Sequence, residues 1–132
     1  MISIAIDGPA GAGKSTVAKA ISKKLGIIYL DTGAMYRTVA LKAIKENVDS
    51  LDREKLSNIV KNINMEIRFI DNQQHMFLDN EDVTEKIRTP EVSIGASNVG
   101  TIPEVRLKMA ELQRKFAEKH NVVMEGRDIG SF

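Results

Sequence analysis

The sequence predicts an α/β fold built on a parallel sheet. Short apolar segments typical of core strands cover residues 2–6, 27–30 and 121–125. Segments with helical spacing of apolar residues follow the first two, and such alternation is typical of parallel sheets covered by helices. The 132 residues, 42% hydrophobic and 28% charged, suffice for one globular domain.

The first strand and helix are predicted from residue type and spacing. The strand at residues 2–6 is short and β-branched, which favours burial on both of its faces. The helix at residues 14–25 carries an apolar stripe that includes Val17 and Leu25. Gly26 follows the last residue of this pattern, so we expect the helix to end there.

The next elements continue the alternation of strands and helices. The strand at residues 27–30 stops at Asp31, and a second helix is expected from about residue 34 to residue 45. Asp52 precedes another amphipathic segment and is predicted to cap its N-terminus.

The middle of the chain predicts a small β-hairpin and two further helices. Apolar residues alternate on both sides of residues 71–74, which indicates two strands joined by a four-residue connection. Thr89 and Pro90 are typical of a helix start, and Thr101 with Glu104 fits a capping box.

Residues 8–15 form the strongest motif in the chain. They read Gly-Pro-Ala-Gly-Ala-Gly-Lys-Ser between a predicted strand and a predicted helix, which satisfies the phosphate-loop pattern. Its backbone N–H groups can surround an oxyanion at the helix N-terminus, Lys14 adds positive charge for the β- and γ-phosphates, and the Ser15 hydroxyl can ligate Mg²⁺. The motif predicts a nucleoside triphosphate site on a three-layer P-loop NTPase fold.

The class of P-loop protein follows from what the sequence contains. No Asp-x-x-Gly or Asn-Lys-x-Asp string of a GTPase occurs, and 132 residues are few for a motor or transport ATPase. A small kinase remains, and phosphoryl transfer needs cations around both phosphates. Arg37, Arg106 and Arg127 are candidates, although each can instead be a solvated surface charge. Glu125 is either an acid of the Mg²⁺ shell or a strand cap.

Composition argues against several other classes. The 19 basic and 18 acidic residues nearly cancel, so we expect no extended cationic face for nucleic acid. The chain has no cysteine, which excludes disulfides and thiolate metal sites. No apolar stretch approaches the roughly 18 residues of a membrane span, and residues 1–8 lack the features of a signal peptide. A cytoplasmic protein is expected.

Four blocks, taken together, resemble the bacterial cytidylate kinases, which are nucleoside monophosphate kinases. They are residues 8–16, 30–37 (Leu-Asp-Thr-Gly-Ala-Met-Tyr-Arg), 87–92 and 125–130 (Glu-Gly-Arg-Asp-Ile-Gly). The resemblance implies Mg²⁺-dependent transfer of the γ-phosphoryl group of ATP to CMP or dCMP. It also implies ATP contacts by Gly8, Pro9, Ala10, Gly11, Ala12, Gly13, Lys14, Ser15 and Thr16.

The resemblance further assigns acceptor and catalytic residues. Substrate-binding roles fall on Thr32, Tyr36, Arg37, Ser97, Arg106, Arg127 and Asp128. Arg37 would serve the CMP phosphate, Arg127 would clamp a phosphate, and both would act in catalysis with Lys14. Ser97, Arg106 and Asp128 would recognise cytosine. The Asp128 carboxylate can accept a hydrogen bond from the amino group of cytosine, whereas with uracil it would face a carbonyl oxygen.

The resemblance also sets expectations for the organisation of the chain. Residues 1–30 and 120–132 would form the P-loop core, and residues 31–119 the monophosphate-binding region. Members of the family continue past the last block, so we expect a C-terminally truncated chain with an incomplete core, an exposed first strand, and no lid. Such a chain would bind substrates with little turnover, whereas the complete protein would be a monomer.

Two other functions remain open. A P-loop kinase for another small acceptor would prefer a different substrate, and a non-catalytic nucleotide-binding module would bind ATP without turnover.

Overall fold

The computed structural model describes residues 1–6 and 13–125. The α-helices in this part are Lys14–Leu25 (α1), Gly33–Lys45 (α2), Arg53–Asn62 (α3), Pro90–Val99 (α4) and Pro103–Lys119 (α5). The strands are Ser3–Ile6 (β1), Ile28–Asp31 (β2), Met65–Ile70 (β3), Gln73–Leu78 (β4), Glu81–Asp82 (β5) and Val122–Glu125 (β6). None of the described helices is both long and apolar enough to cross a membrane.

The chain divides into two compact units. The first comprises Met1–Gly33 and Ala110–Phe132, and the second comprises Ala34–Met109. The assignment of a P-loop core and a monophosphate-binding region to segments of the chain stays a prediction.

The first unit is built on a parallel sheet, which confirms the predicted fold class. Its three strands lie in the order β1-β6-β2, so the last strand in sequence is central. Val123 of β6 is the register partner of both Ile4 in β1 and Tyr29 in β2. The sheet therefore joins segments that are more than ninety residues apart in the sequence.

Burial differs sharply between the central strand and β1. Val122 and Val123 of β6 are fully buried, and Met124 is 6% exposed. In β1, Ser3 and Ala5 are exposed while Ile4 and Ile6 are half-buried. The local prediction that the first strand is buried on both faces is wrong, because β1 pairs with β6 alone and is an edge strand of the described sheet. The exposed first strand that the family resemblance predicts is confirmed.

Helix α1 has the predicted bounds. Gly13 and Gly26 flank it with positive φ angles of 75° and 66°, a left-handed conformation that glycine adopts at little cost. The predicted apolar stripe is only partly correct, because Ala18 is buried whereas Val17 and Leu25 are half exposed. The helix therefore covers the sheet with a narrower face than the sequence pattern predicts.

Two of the three predicted helix caps form. Asp52 accepts a hydrogen bond from the Lys55 amide at 3.1 Å, and Thr89 accepts from the Val92 amide at 3.2 Å. The predicted capping box is wrong. The Thr101 hydroxyl instead donates to the Asn98 carbonyl at 2.7 Å, so it serves the end of α4 rather than the start of α5.

The predicted hairpin is present in the second unit and is larger than expected. β3, β4 and β5 form an antiparallel sheet, with a two-residue turn where a four-residue connection was predicted. Asp71 and Asn72 occupy this turn with φ of 53° and 62°, and Asp79 and Asn80 repeat the geometry before β5. Such turns match strand twist, and Asp and Asn tolerate the left-handed conformation that they need.

Helices α2 and α4 approach closely at Gly95. A Cβ atom at this position would lie 3.0 Å from the Cβ of Ala40 on α2. Since the Ala40 methyl group is attached directly to the helix backbone, it cannot move aside by rotation.

We expect Gly95→Ala to destabilise the protein by about 1 kcal/mol, because overpacking outweighs the gain in helix propensity. The added methyl group requires α2 and α4 to separate. Urea denaturation measures the free energy of unfolding, and Ser93→Ala on the exposed face of α4 is the matched control. The double variant with Gly95→Ala and Ala40→Gly should lose less free energy of unfolding than the two single variants lose together. Strictly additive losses would contradict the steric explanation.

Asp82, the last residue of β5, is a carboxylate with a lowered pKa. The Thr84 hydroxyl and amide donate to Asp82 Oδ1 at 2.6 and 3.1 Å, and His75 contacts Oδ2 at 2.8 Å. These contacts, the Thr84 hydroxyl foremost, lower the pKa of Asp82 from 3.8 to about 2. The charged form is thus favoured in the folded state.

Asp82 should therefore stabilise the fold above pH 4, and this contribution should be lost as the pH falls from about 4 to about 2. We expect Asp82→Asn to be less stable than the parent at pH 6 and the difference to shrink at pH 2.5, measured by urea denaturation. Thr84→Ser keeps the hydroxyl donor and should retain the pH dependence, which Thr84→Val should reduce. A stability difference independent of pH would contradict this role of Asp82.

Candidate nucleotide site

The carboxyl ends of the three parallel strands meet at one edge of the sheet. Glu125, the last residue of β6, is the register partner of Ile6 in β1 and of Asp31 in β2. Ligands in parallel α/β folds bind at this edge, beyond the carboxyl ends of the strands. Residues 7–12 and 126–132, which directly follow β1 and β6 in the sequence, lie outside the described residues.

The N-terminus of α1 carries the described part of the phosphate-loop motif. Gly13 precedes the helix with φ of 75°, and having no side chain it cannot cap the first-turn amides. Such amides are free to bind an anion, and the helix dipole favours negative charge there. Lys14 and Ser15 are half-buried at the start of the helix, whereas Thr16 is exposed.

Lys14 and Glu125 form an ion pair at this edge of the sheet. Lys14 Nζ lies 3.0 Å from Glu125 Oε1, and the side chains are only 11% and 14% exposed. Two charges this far removed from water interact more strongly than a surface pair, and either one is costly to leave without a partner. The pair therefore keeps the lysine of the motif beside the strand ends.

The contacts of Glu125 place it beside the lysine of the phosphate-loop motif, and its role as an acid of the Mg²⁺ shell stays a prediction. Its carboxylate contacts Lys14 and Tyr29, and its carbonyl accepts hydrogen bonds from the Thr32 hydroxyl at 2.8 Å and the Thr32 amide at 3.3 Å. The side chain thus lies at the strand edge beside Lys14, and the backbone is tied to the end of β2.

Tyr29 is a site residue that the sequence analysis missed. Its hydroxyl donates to Glu125 Oε2 at 3.0 Å, so the two carboxylate oxygens have different partners. Burial raises the pKa of the phenol above its ordinary value, and the Asp31 charge and the Glu125 hydrogen bond add to the rise, while the Ser15 hydroxyl opposes it. Tyr29 therefore remains a protonated donor at neutral pH. A phenol in an otherwise apolar strand, two residues before Asp31, was its only signal in the sequence.

Thr32 and Asp31 connect β2 to the start of α2. Asp31 Oδ1 accepts a hydrogen bond from the Gly33 amide at 2.9 Å, which initiates the helix. Thr32 is 2% exposed, and its hydroxyl is engaged by the Glu125 carbonyl. The role of Thr32 in substrate binding stays a prediction.

Four predicted acceptor residues lie on helices. Tyr36 and Arg37 are half-buried in α2, Arg106 is half-buried in α5, and Ser97 is exposed on α4. Ser97 donates to the Ser93 carbonyl at 3.5 Å within its own helix. No carboxylate among residues 1–6 and 13–125 forms an ion pair with Arg37, and its role at the acceptor stays a prediction.

Seven predicted site residues lie outside the described residues and stay predictions. They are Gly8, Pro9, Ala10, Gly11, Ala12, Arg127 and Asp128.

The donor chemistry at the strand edge fits a magnesium ion. The Ser15 hydroxyl and the Glu125 carboxylate are hard oxygen donors, and both interact with the Tyr29 phenol. In the described part of the chain, no three His, Asp or Glu side chains cluster as metal ligands. Mg²⁺ bound with a nucleotide needs no such cluster, because it takes one or two protein ligands and completes its shell with phosphates and water.

Comparison with known proteins agrees with the geometry. The cytidylate kinase family model matches residues 4–132. The chain is 52% identical over 130 residues to the cytidylate kinase of Caldicellulosiruptor bescii, and this alignment covers 98% of the chain and 58% of the relative.

Two further relatives give the same result. The cytidylate kinase of Caldicellulosiruptor saccharolyticus is 50% identical over 131 residues, and that of Pelotomaculum thermopropionicum is 56% identical over 130 residues. These alignments cover 99% and 97% of the chain but 58% and 57% of the relatives. The chain spans less than two thirds of the length of these curated relatives, and it belongs to the cytidylate kinase family.

Proposed function

We propose that the protein transfers the γ-phosphoryl group of ATP to CMP or dCMP. The observation that carries the proposal is the Lys14–Glu125 pair at the carboxyl edge of the sheet, where the lysine of the phosphate-loop motif meets an acidic side chain at 3.0 Å. The name shared by the relatives, cytidylate kinase, supports CMP or dCMP as the acceptor.

ATP binding would exchange one partner of Lys14 for another. The ammonium group leaves a carboxylate and contacts the β- and γ-phosphate oxygens, so it moves between two anions and stays compensated. The first-turn amides of α1 donate to the same phosphates. Release of Lys14 frees Glu125 Oε1, which was its acceptor.

Mg²⁺ is the proposed cofactor, and Ser15 with Glu125 would hold it, the carboxylate directly or through water. When bound, it neutralises charge on the phosphates. The chain's own contribution is positional: Lys14 and the helix amides orient the transferring group, and Tyr29 with the β2–β6 pairing holds Glu125 at the edge.

The acceptor is proposed to bind through the residues that the family resemblance assigns. Arg37 would pair with the CMP phosphate, a role supported by its partial burial and its lack of an ion-pair partner among the described residues. Tyr36 and Thr32 would assist at the acceptor. Ser97, Arg106 and Asp128 would read cytosine, and Arg127 would act on phosphate.

Lys14→Met should weaken ATP binding to this chain about tenfold to a hundredfold, because a charge-assisted hydrogen bond to phosphate is lost while the apolar stem is kept. Isothermal titration calorimetry measures the affinity. Lys24→Met removes a lysine from the other end of α1 and serves as the matched control, which should bind as the parent does. Equal affinities for the Lys14 and Lys24 variants would exclude the proposed phosphate contact.

Arg37→Gln should lower CMP affinity about tenfold to a hundredfold and leave cytidine affinity unchanged, since cytidine lacks the phosphate. The same titrations with CMP, dCMP, UMP and AMP should rank a cytosine nucleotide first, and a coupled ADP-release assay should show the same order. Tighter binding of UMP or AMP would overturn the acceptor assignment. ATP binding with no acceptor binding at all would instead favour a non-catalytic nucleotide-binding module.

A further inference from the structure

The Glu125 carboxylate is held from two sides by residues of different mobility. Lys14 contacts Oε1 from the end of a flexible four-carbon stem, and Tyr29 contacts Oε2 from a rigid ring, each at 3.0 Å. In the kinase proposed above, Lys14 has to leave the carboxylate whenever it contacts phosphate. Tyr29, whose hydroxyl also interacts with Ser15, contacts no phosphate in that proposal.

Tyr29 is placed so that its hydroxyl has little freedom. Its backbone lies in β2, in register with the fully buried Val123 of the central strand. Its ring packs against a cluster formed by Ala18, Ile27 and Val123. Lys19 Nζ covers the ring at 5.8 Å from its centroid. The phenol is therefore a fixed donor, anchored to the same strand pair that carries Glu125.

The backbone of Glu125 is held by the same strand. The two Thr32 hydrogen bonds to its carbonyl fix the end of β6 against the end of β2. With backbone and Oε2 both tied to β2, the Lys14 contact is the exchangeable one among the contacts that Glu125 makes with residues 1–6 and 13–125. The carboxylate can lose Lys14 without losing its direction.

We propose that Tyr29 is a positioning residue that keeps the Glu125 carboxylate aimed at the nucleotide site when Lys14 transfers from Glu125 to phosphate. The effect on ATP binding rests on the proposed function. The orientation of Glu125 does not depend on it. Without the Tyr29 hydroxyl, Oε2 loses its donor in a largely buried place. Turning both oxygens toward Lys14 then stabilises the carboxylate, and this stronger contact opposes release of the lysine.

The test uses Tyr29→Phe, which keeps the ring in the apolar cluster and removes only the hydroxyl. A crystal structure of this variant without nucleotide should show Glu125 in a changed orientation or in several. A single Glu125 conformer with its Oε1–Lys14 contact unchanged would overturn the positioning role. This readout does not depend on nucleotide binding, so it decides the matter even if the chain fails to bind ATP and the proposed function falls.

The functional consequence is measured by calorimetric titration of ATP with Mg²⁺ and with a chelator. We expect Tyr29→Phe to weaken binding in Mg²⁺ about tenfold and binding of metal-free ATP by less than about twofold. Ser22→Ala, which removes another hydroxyl hydrogen bond from the first unit, should change neither affinity. An equal loss with and without Mg²⁺ would overturn the proposal, because a general packing defect would act on both.

A double-mutant cycle with Glu125→Gln shows whether Tyr29 acts through Glu125. If it does, adding Tyr29→Phe to Glu125→Gln should cost much less Mg²⁺–ATP affinity than adding it to the parent. Additive losses would mean that Tyr29 acts by another route and would contradict the proposal.

Discussion

The parallel pairing of β6 with both β1 and β2 is the constraint on which the first unit depends. β6 is buried on both faces, and its last residue, Glu125, lies level with Ile6 and Asp31 at the ends of its neighbours. Because parallel strands end on the same side, this pairing brings residues from the start, the first third and the end of the chain to one edge. The phosphate-loop helix begins at that edge, so the position of Lys14 follows from the sheet.

In the proposed function, the charges at this edge exchange partners when ligands bind. Lys14 and Glu125 are largely removed from water, where an isolated charge is unfavourable, and each compensates the other. A phosphate that takes over Lys14 replaces one anion with another, and a cation at Glu125 would do the same on the opposite side. Tyr29 donates a neutral hydrogen bond to the same carboxylate, and in our proposal this bond stays in place during either exchange. The ion pair thus keeps the site organised before ligands bind.

The second unit relies on close packing and turn chemistry. Gly95 allows α4 to approach α2 at Ala40, and two turns of Asp and Asn residues set the register of the antiparallel strands. Asp82 adds a local network of hydrogen bonds with Thr84 and His75. Apart from the contact of Gly95 with Ala40, these features join residues that are close together in the sequence.

The sequence by itself determined the features that depend on neighbouring residues. Glycines at 13 and 26 set the ends of α1, Asp52 and Thr89 capped their helices, and the phosphate-loop motif with the three other blocks indicated the family. In each case the physical cause lies within a few residues, in a dihedral angle or a hydrogen bond that the local sequence specifies.

Only the tertiary structure decided the features that depend on strand order. The local pattern of β1 predicted burial on both faces, but β1 is an edge strand because β6 occupies the centre of the described sheet, and only the family resemblance had led us to expect an exposed first strand. Thr101 fitted a capping box, but the Asn98 carbonyl at the end of α4 takes its hydroxyl. Tyr29 meets Glu125 across 96 residues of sequence. No local pattern records such a contact, because it arises from the register of two strands that pair only when the whole sheet has formed.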